Sequence, residues 1–255
     1  MLRALSTALF TIWLAVTLSF FLLRAVPGNA VEAQLLQGGA SRARIAEVNA
    51  ALGLNEGLPL QYVRYLGDLI QGDLGYSLSN GRSVNTIIAE RLRPTVQLAL
   101  AALCVAVPVG LGLGILASGH GLDARLSQLA VNLSLSMPIY WTGTLVIILF
   151  AAQLQWLPAT GSSGVRALIL PVGVLAFHTM GEIARMTQAN VRSFRAAPHV
   201  LVARSRGLTR PLITLRYILR PALLPVISVI ALQAGFLIGG AVITETLFVR
   251  PGIGR

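Results

Sequence analysis

The sequence predicts an all-α membrane protein, a polytopic bundle of transmembrane helices. Composition is the first ground: of 255 residues 55% are hydrophobic and 11% charged, with mean hydropathy +0.74. That balance is far too apolar for a soluble domain. The second is that five apolar stretches each reach the roughly 20 residues needed to cross ~30 Å of hydrocarbon. The third is a short loop between the last two stretches that is dense in arginine and, beyond Glu182, free of acids. Short loops of that kind stay on the cytoplasmic side.

The stretches follow in order. Residues 4–23 carry no charge. Arg3 and the small residues near Gly28-Asn29-Ala30 resemble a signal peptide, but the apolar core exceeds the usual ~7–15 residues of one, so a retained span is expected. Residues 95–117 form the second stretch, 129–154 the third, 167–186 the fourth and 221–244 the fifth. Glu182 interrupts the fourth near its end.

Between the first and second spans the chain has the pattern of a folded segment. Residues 45–52 are helical in period and stop at Gly53, and residues 59–70 repeat the design with Leu60, Val63, Leu66 and Ile70 on one face. Turns are expected at Gly72-Asp-Leu-Gly75 and Asn80-Gly81, then a third helix over residues 83–91. The expected organisation is therefore an N-terminal helix (1–26), an extracytoplasmic helical segment (27–93) and a membrane core (94–255) that includes the basic loop 186–220.

All 20 basic residues are Arg. Without Lys there is no P-loop lysine to reach ATP phosphates, and Schiff-base chemistry is excluded. The excess behind the net charge of +11 sits mostly in the basic loop, so it is read as topology and nucleic-acid binding is discounted. Arginine counts alone leave orientation tied. The segment 24–93 is long and carries its own acids, so it translocates largely regardless of charge, and the dense loop places itself and the N-terminus inside.

Candidate groups within the spans are few. Gly110 and Gly114, and again Gly235 and Gly239, fit the small-residue spacing that lets helices approach closely. Cys104, the single cysteine, is expected to be a buried small residue. His178 and Glu182 lie four apart on one helix face; the expectation is that Glu182 reaches the interface and pairs with Arg185 or its neighbours. No metal site and no cofactor are expected. An enzymatic alternative is an intramembrane serine protease, with Ser163 of Gly161-Ser-Ser-Gly164 as nucleophile and His178 as base. Both would sit on one span, which is poor geometry for it. An ATPase-independent channel or carrier is the other alternative, weakened by the lack of mid-span charge.

The basic loop has a legible internal order. Pro198 opens a short helix, Gly207 can supply a left-handed stop, and Thr209 with Pro211 restarts a helix. Its apolar members Val200, Leu201, Val202 and Leu208 would fill a partner's groove, with Arg204 and Arg206 at the rim. A bilayer-resting helix drawn to anionic headgroups is the plainer alternative.

Ordered blocks along nearly the whole chain then carry a resemblance. They are Phe20-Phe-Leu-Leu-Arg-Ala-Val-Pro-Gly28, Gly72-Asp-Leu-Gly-Tyr-Ser77, Ser136-Met-Pro-Ile-Tyr-Trp141, Trp156-Leu-Pro-Ala-Thr-Gly161, Ala203-Arg-Ser-Arg-Gly-Leu208 and Glu245-Thr-Leu-Phe-Val-Arg-Pro-Gly-Ile-Gly-Arg255. Together they resemble the membrane subunit of binding-protein-dependent ABC importers of the peptide/nickel type. The resemblance implies a cytoplasmic coupling helix, the EAA-type loop, carried here by His199, Val200, Leu201, Val202, Ala203, Arg204, Ser205, Arg206, Gly207 and Leu208. It implies a second homologous permease subunit, two cytoplasmic ABC ATPases, an extracytoplasmic solute-binding protein and the lipid bilayer as partners, with no covalent chemistry in this chain. The cargo it implies is a peptide or related small solute, metal chelates included. Relatives continue into a sixth span, so a further C-terminal span is expected beyond Arg255.

Overall fold

The computed structural model describes residues 2–25, 41–43, 56–77, 81–160 and 164–254. The described residues are helical apart from turns and one isolated bridge between Tyr76 and Ser83. The chain forms two compact units, Met1–Ile88 and Ala89–Arg255.

In the first unit, α1 (Leu2–Ala25) is the uncharged stretch expected to span. Its end is held by aromatic packing against α2 (Leu58–Ile70), which begins with Pro59 in its first turn, where a missing N–H costs nothing. The Phe20 ring stands 5.3 Å from those of Tyr62 and Tyr65. Thr17 Oγ1 and the Tyr62 hydroxyl lie 2.7 Å apart, and Arg24 Nε donates to Gln61 Oε1 at 3.0 Å. After α2 the chain turns through Gly72 and Gly75, both at positive φ. Asn85 clamps that turn, its Oδ1 accepting from the Leu74 N–H and its Nδ2 donating to the Gly72 carbonyl. The helix expected over residues 45–52 lies outside the described residues.

α3 (Val84–Ala117) runs through Pro94 and Pro108 without a break. The separate helix expected over residues 83–91 is thus its first turns. Pro has no N–H to give, yet the surrounding turns keep the helix continuous, as membrane helices commonly tolerate.

The third span differs more. It is not one helix over residues 129–154: α4 (Leu122–Ser136) and α5 (Ile139–Val146, continued as a π-helical stretch Ile147–Gln153) meet at 107°. Met137 is extended, with ψ 133, because the ring of Pro138 disfavours the helical region in the residue before it. Among the described residues, four helices are therefore long and apolar enough to span, or five if the bent pair counts as one.

α6 (Arg166–Arg195) is the central helix of the second unit. Over its most apolar window 56% of residues are buried, against 17% for the last span. It packs on α4, on α5 and on α8 (Arg220–Gly240), with the short α9 (Val242–Leu247) beyond. Small residues set the distances. A Cβ at Gly110 would lie 2.9 Å from the Met180 carbonyl, and one at Gly114 would lie 2.5 Å from the Ala184 carbonyl. A Cβ at Gly181 would strike Ser134 Oγ on α4. Around Gly235 and Gly239 nothing stands within 4 Å of the same built atom. Cys104 is exposed on α3, not buried, as an apolar residue on a lipid-side face can be.

Candidate functional site

The basic loop is built on the end of α6. Gln188, Arg192 and Arg195 recur on one face of the helix and reach the C-terminus of α3. Gln188 Nε2 and Arg192 Nη2 each donate to the Ala117 carbonyl at 2.8 Å, and Arg195 Nη1 donates to the Ser118 carbonyl at 3.0 Å. Gln188 also meets Gln128 of α4. The last carbonyls of a helix have no intrahelical partner and carry partial negative charge, so cations and donors gather there. The arginines that the charge pattern assigned to orientation thus also cap a helix.

Ala197 is extended, and α7 (Pro198–Ser205) begins at Pro198 as the sequence indicates. It ends at Gly207, φ +74. The Leu208 N–H reaches back to the Ala203 carbonyl at 3.3 Å and the Gly207 N–H to Arg204 at 3.0 Å. This closes the helix with a left-handed residue that only glycine adopts without penalty.

The faces of α7 divide sharply. Val200 and Ala203 are buried in a cluster with Val191, Ile213, Ile218 and Ala222. Leu201 and Val202 are 69% and 49% exposed. Val200 therefore belongs to the chain's own core and not to a partner's groove; its place on the inward side of a helix that lies flat against the bundle explains this. Arg204, Ser205 and Arg206 are exposed.

His199 ties α7 to the base of the last span. After Arg210–Leu212 the chain passes through a π-helical stretch, Ile213–Leu219, before α8. Pro221 supplies no N–H to the Tyr217 carbonyl four residues earlier. His199 Nε2 lies 2.9 Å from that oxygen and, as an N–H, donates to it. Sequence reading placed His199 in the loop but had no signal for this bond, which joins residues 18 apart through a carbonyl.

Two further polar sites stand away from the loop, and the first of them was not legible in the sequence. At the end of the chain Glu245 is 1% exposed. Thr95 Oγ1 donates to its Oε1 at 2.5 Å, the Gly254 N–H donates to its Oε2 at 3.0 Å, and the Ile253 N–H donates to Thr95 Oγ1 at 3.0 Å. The turn closes at Val249, φ 52, with the Arg250 N–H on the Glu245 carbonyl at 2.8 Å. Burial presses the Arg250 guanidinium below its ordinary pKa, and the Glu245 carboxylate opposes that fall. A Cβ at Gly252 would overlap the Glu245 carboxylate.

The second site is in the bundle. His178 Nε2 lies 2.8 Å from Thr142 Oγ1, and His178 and Glu182 line a cavity of about 350 Å³ with Gln233 of α8. Because α6 runs on to Arg195, Glu182 stands near the middle of a 30-residue helix and not close to its end. Its expected pairing with Arg185 is absent among the described residues, where the ion pair recorded is Arg64–Glu56 at 2.8 Å. A carboxylate that faces an open cavity keeps its hydration and gains little from folding back on an exposed arginine. Ser163, the candidate nucleophile, lies outside the described residues.

Comparison with known proteins agrees with this architecture. The family described as "Binding-protein-dependent transport system inner membrane component" matches residues 85–255, and its N-terminal companion matches residues 1–99. The chain is 32% identical over 248 residues to "Probable peptide ABC transporter permease protein y4tP" of Sinorhizobium fredii, covering 92% of this chain and 78% of that one. It is 33% identical over 248 residues to "Glutathione transport system permease protein GsiC" of Escherichia coli O6:H1, covering 96% and 80%. A solved "amino acid ABC transporter with histidines" shares the fold at TM-score 0.54 with 14% identity, over 67% of this chain and 76% of that one. The chain belongs to the inner-membrane permease family of binding-protein-dependent ABC importers. It is a multi-pass transport subunit without ATPase activity of its own.

Proposed function

We propose that this subunit forms half of the translocation path for peptides or peptide-like solutes such as glutathione, and that α7 couples the path to a cytoplasmic ATPase. The cargo follows the printed names of the relatives, which are peptide and glutathione permeases. In this reading a second permease subunit completes the path, two ATPases drive it and an extracytoplasmic binding protein delivers the solute. The N-terminus and the basic loop face the cytoplasm.

The observation that carries the proposal is the two-faced helix α7. Its inner face, Val200 and Ala203, is buried in the chain's own core, while Leu201 and Val202 stand out at the same level. His199 fixes it to the carbonyl at the foot of the last span. A short helix locked to the bundle on one side and apolar on the other moves its span as a rigid body when pushed. Closure of the ATPases on ATP supplies the free energy, since ATP binds the closed state better.

The test is ATP-dependent peptide uptake in vesicles holding the assembled transporter. Gly207→Pro replaces φ +74 with the fixed negative φ of proline, about −65°. It abolishes uptake while the subunit still inserts. Normal uptake by that variant contradicts coupling through this loop.

A further inference from the structure

The chamber beside His178 contains polar groups that the loop does not use. Four helices wall it, with Ser134 from α4, Ile139 from α5, His178 and Glu182 from α6, and Gln233 and Phe236 from α8. At about 350 Å³ it falls in the range of small-molecule sites, ~300–1,000 Å³, which combine apolar walls with a few polar groups.

The two carboxylates of the second unit's inner helices differ in one respect. Both oxygens of Glu245 are occupied by donors. Glu182 is exposed to the chamber, and no hydrogen bond or ion pair reaches it among the described residues. An acid within a membrane helix is costly unless it meets opposite charge or a watery path. Its neighbours do not supply that charge. The Thr142 hydroxyl donates to the Ile139 carbonyl at 3.0 Å, so it accepts the Nε2–H of His178. That leaves one carboxylate beside an imidazole whose Nε2 is committed, a poor set for a metal ion; no group of three metal-ligating side chains occurs among the described residues. An ammonium group asks for less: one carboxylate and neutral acceptors, which Gln233 and Ser134 bring to the same wall.

We propose that this chamber is a cargo-contact site on the path, in which Glu182 receives the protonated amine of a small solute while Ile139 and Phe236 take its apolar part. It rests on the importer reading above, which makes the chamber part of a route for solute. Glu182 is a binding residue here; His178, held through Thr142, is a positioning residue for the wall it shares.

The experiment uses the assembled transporter, this chain with its partner permease and ATPases, purified in detergent without the binding protein. Saturation-transfer NMR compares dialanine with N-acetyl-dialanine as probes, and co-elution with the partner permease and ATPases reports that each variant is assembled. Wild type favours the free amine by about threefold, the scale of one solvent-accessible ion pair. Glu182→Gln removes that preference and Glu182→Asp keeps it. Equal signals from both probes on wild type, or an unchanged preference in Glu182→Gln, overturn the proposal. Vesicle uptake separates the two readings. Peptide uptake without any Glu182-dependent preference rejects the site alone, whereas a Glu182-dependent preference in a complex that imports no peptide supports the site and rejects the peptide cargo proposed above.

Discussion

Glu245 shows how one buried carboxylate is kept in a membrane bundle by a hydrogen-bond donor on each oxygen. Its two oxygens take the Thr95 hydroxyl and the Gly254 N–H, and hydrogen bonds to a charged group contribute about 1.5–3 kcal/mol each. Thr95→Val removes a donor to the carboxylate and the acceptor of the Ile253 N–H together, and is expected to cost about 3 kcal/mol. Glu245→Gln keeps one acceptor and costs less, about 1.5 kcal/mol. Unfolding in mixed micelles reads both. Gly252→Ala sets a methyl group where the carboxylate lies, so it is at least as damaging as Thr95→Val; wild-type stability in that variant contradicts the described packing. None of this was legible in the sequence. Thr95 and Glu245 are 150 residues apart, and neither belongs to a periodic pattern that would bring the two together. Glu182 was noticed as a charge in an apolar run, but its open neighbourhood depends on α4, α5 and α8 converging on it.

At the scale of elements, legibility followed the strength of the local signal. α1, α2 and α7 stand where uncharged length, apolar spacing, Pro and Gly place them, because each rule acts over a few neighbouring residues. The third stretch was expected to be one span, because Pro138 in a long apolar run fits both a tolerated kink and a full break. The extended Met137 and the 107° angle between α4 and α5 show the second to be the case. The two glycine pairs are the sharper lesson. Gly110 and Gly114 have the same spacing as Gly235 and Gly239, yet only the first pair presses on a neighbour within the chain. Gly114→Ala forces a methyl group against the Ala184 carbonyl and Thr187, and overpacking of this kind costs about 1–3 kcal/mol. Gly235→Ala in the isolated subunit is expected to change stability by less than about 0.5 kcal/mol. A thermal-shift series on the purified subunit separates them, and equal losses at both pairs contradict the described α3–α6 contact.

His199 belongs to the same scale, because its bond joins two elements. His199→Phe preserves a ring beside Phe194, 6.1 Å away in the wild type, but leaves the Tyr217 carbonyl without its donor. Stability falls by about 1 kcal/mol, the usual net worth of one hydrogen bond. Uptake per ATP hydrolysed falls more, if α7 transmits motion through this link. An unchanged ratio of transport to hydrolysis places the coupling elsewhere.

For the whole molecule, the fold class was legible because composition, span length and the arginine-dense loop each constrain the chain globally, and the family was legible only through the resemblance of ordered blocks such as Ala203–Leu208 and Glu245–Arg255. In the proposed reading, what drives it lies on other polypeptides. The account depends most on residues 198–208 meeting an ATPase on the cytoplasmic side. Cys104 is the single cysteine, so Cys104→Ser with Leu201→Cys gives one thiol on the exposed face of α7. Membrane vesicles carrying this variant and the partner ATPase with a groove cysteine are treated with a short bifunctional thiol reagent, with and without ATP. The account predicts a cross-link between the two chains whose yield changes with ATP, and protection of the thiol from an impermeant reagent applied outside intact cells. A thiol labelled from outside, or one that never joins the ATPase during uptake, contradicts it.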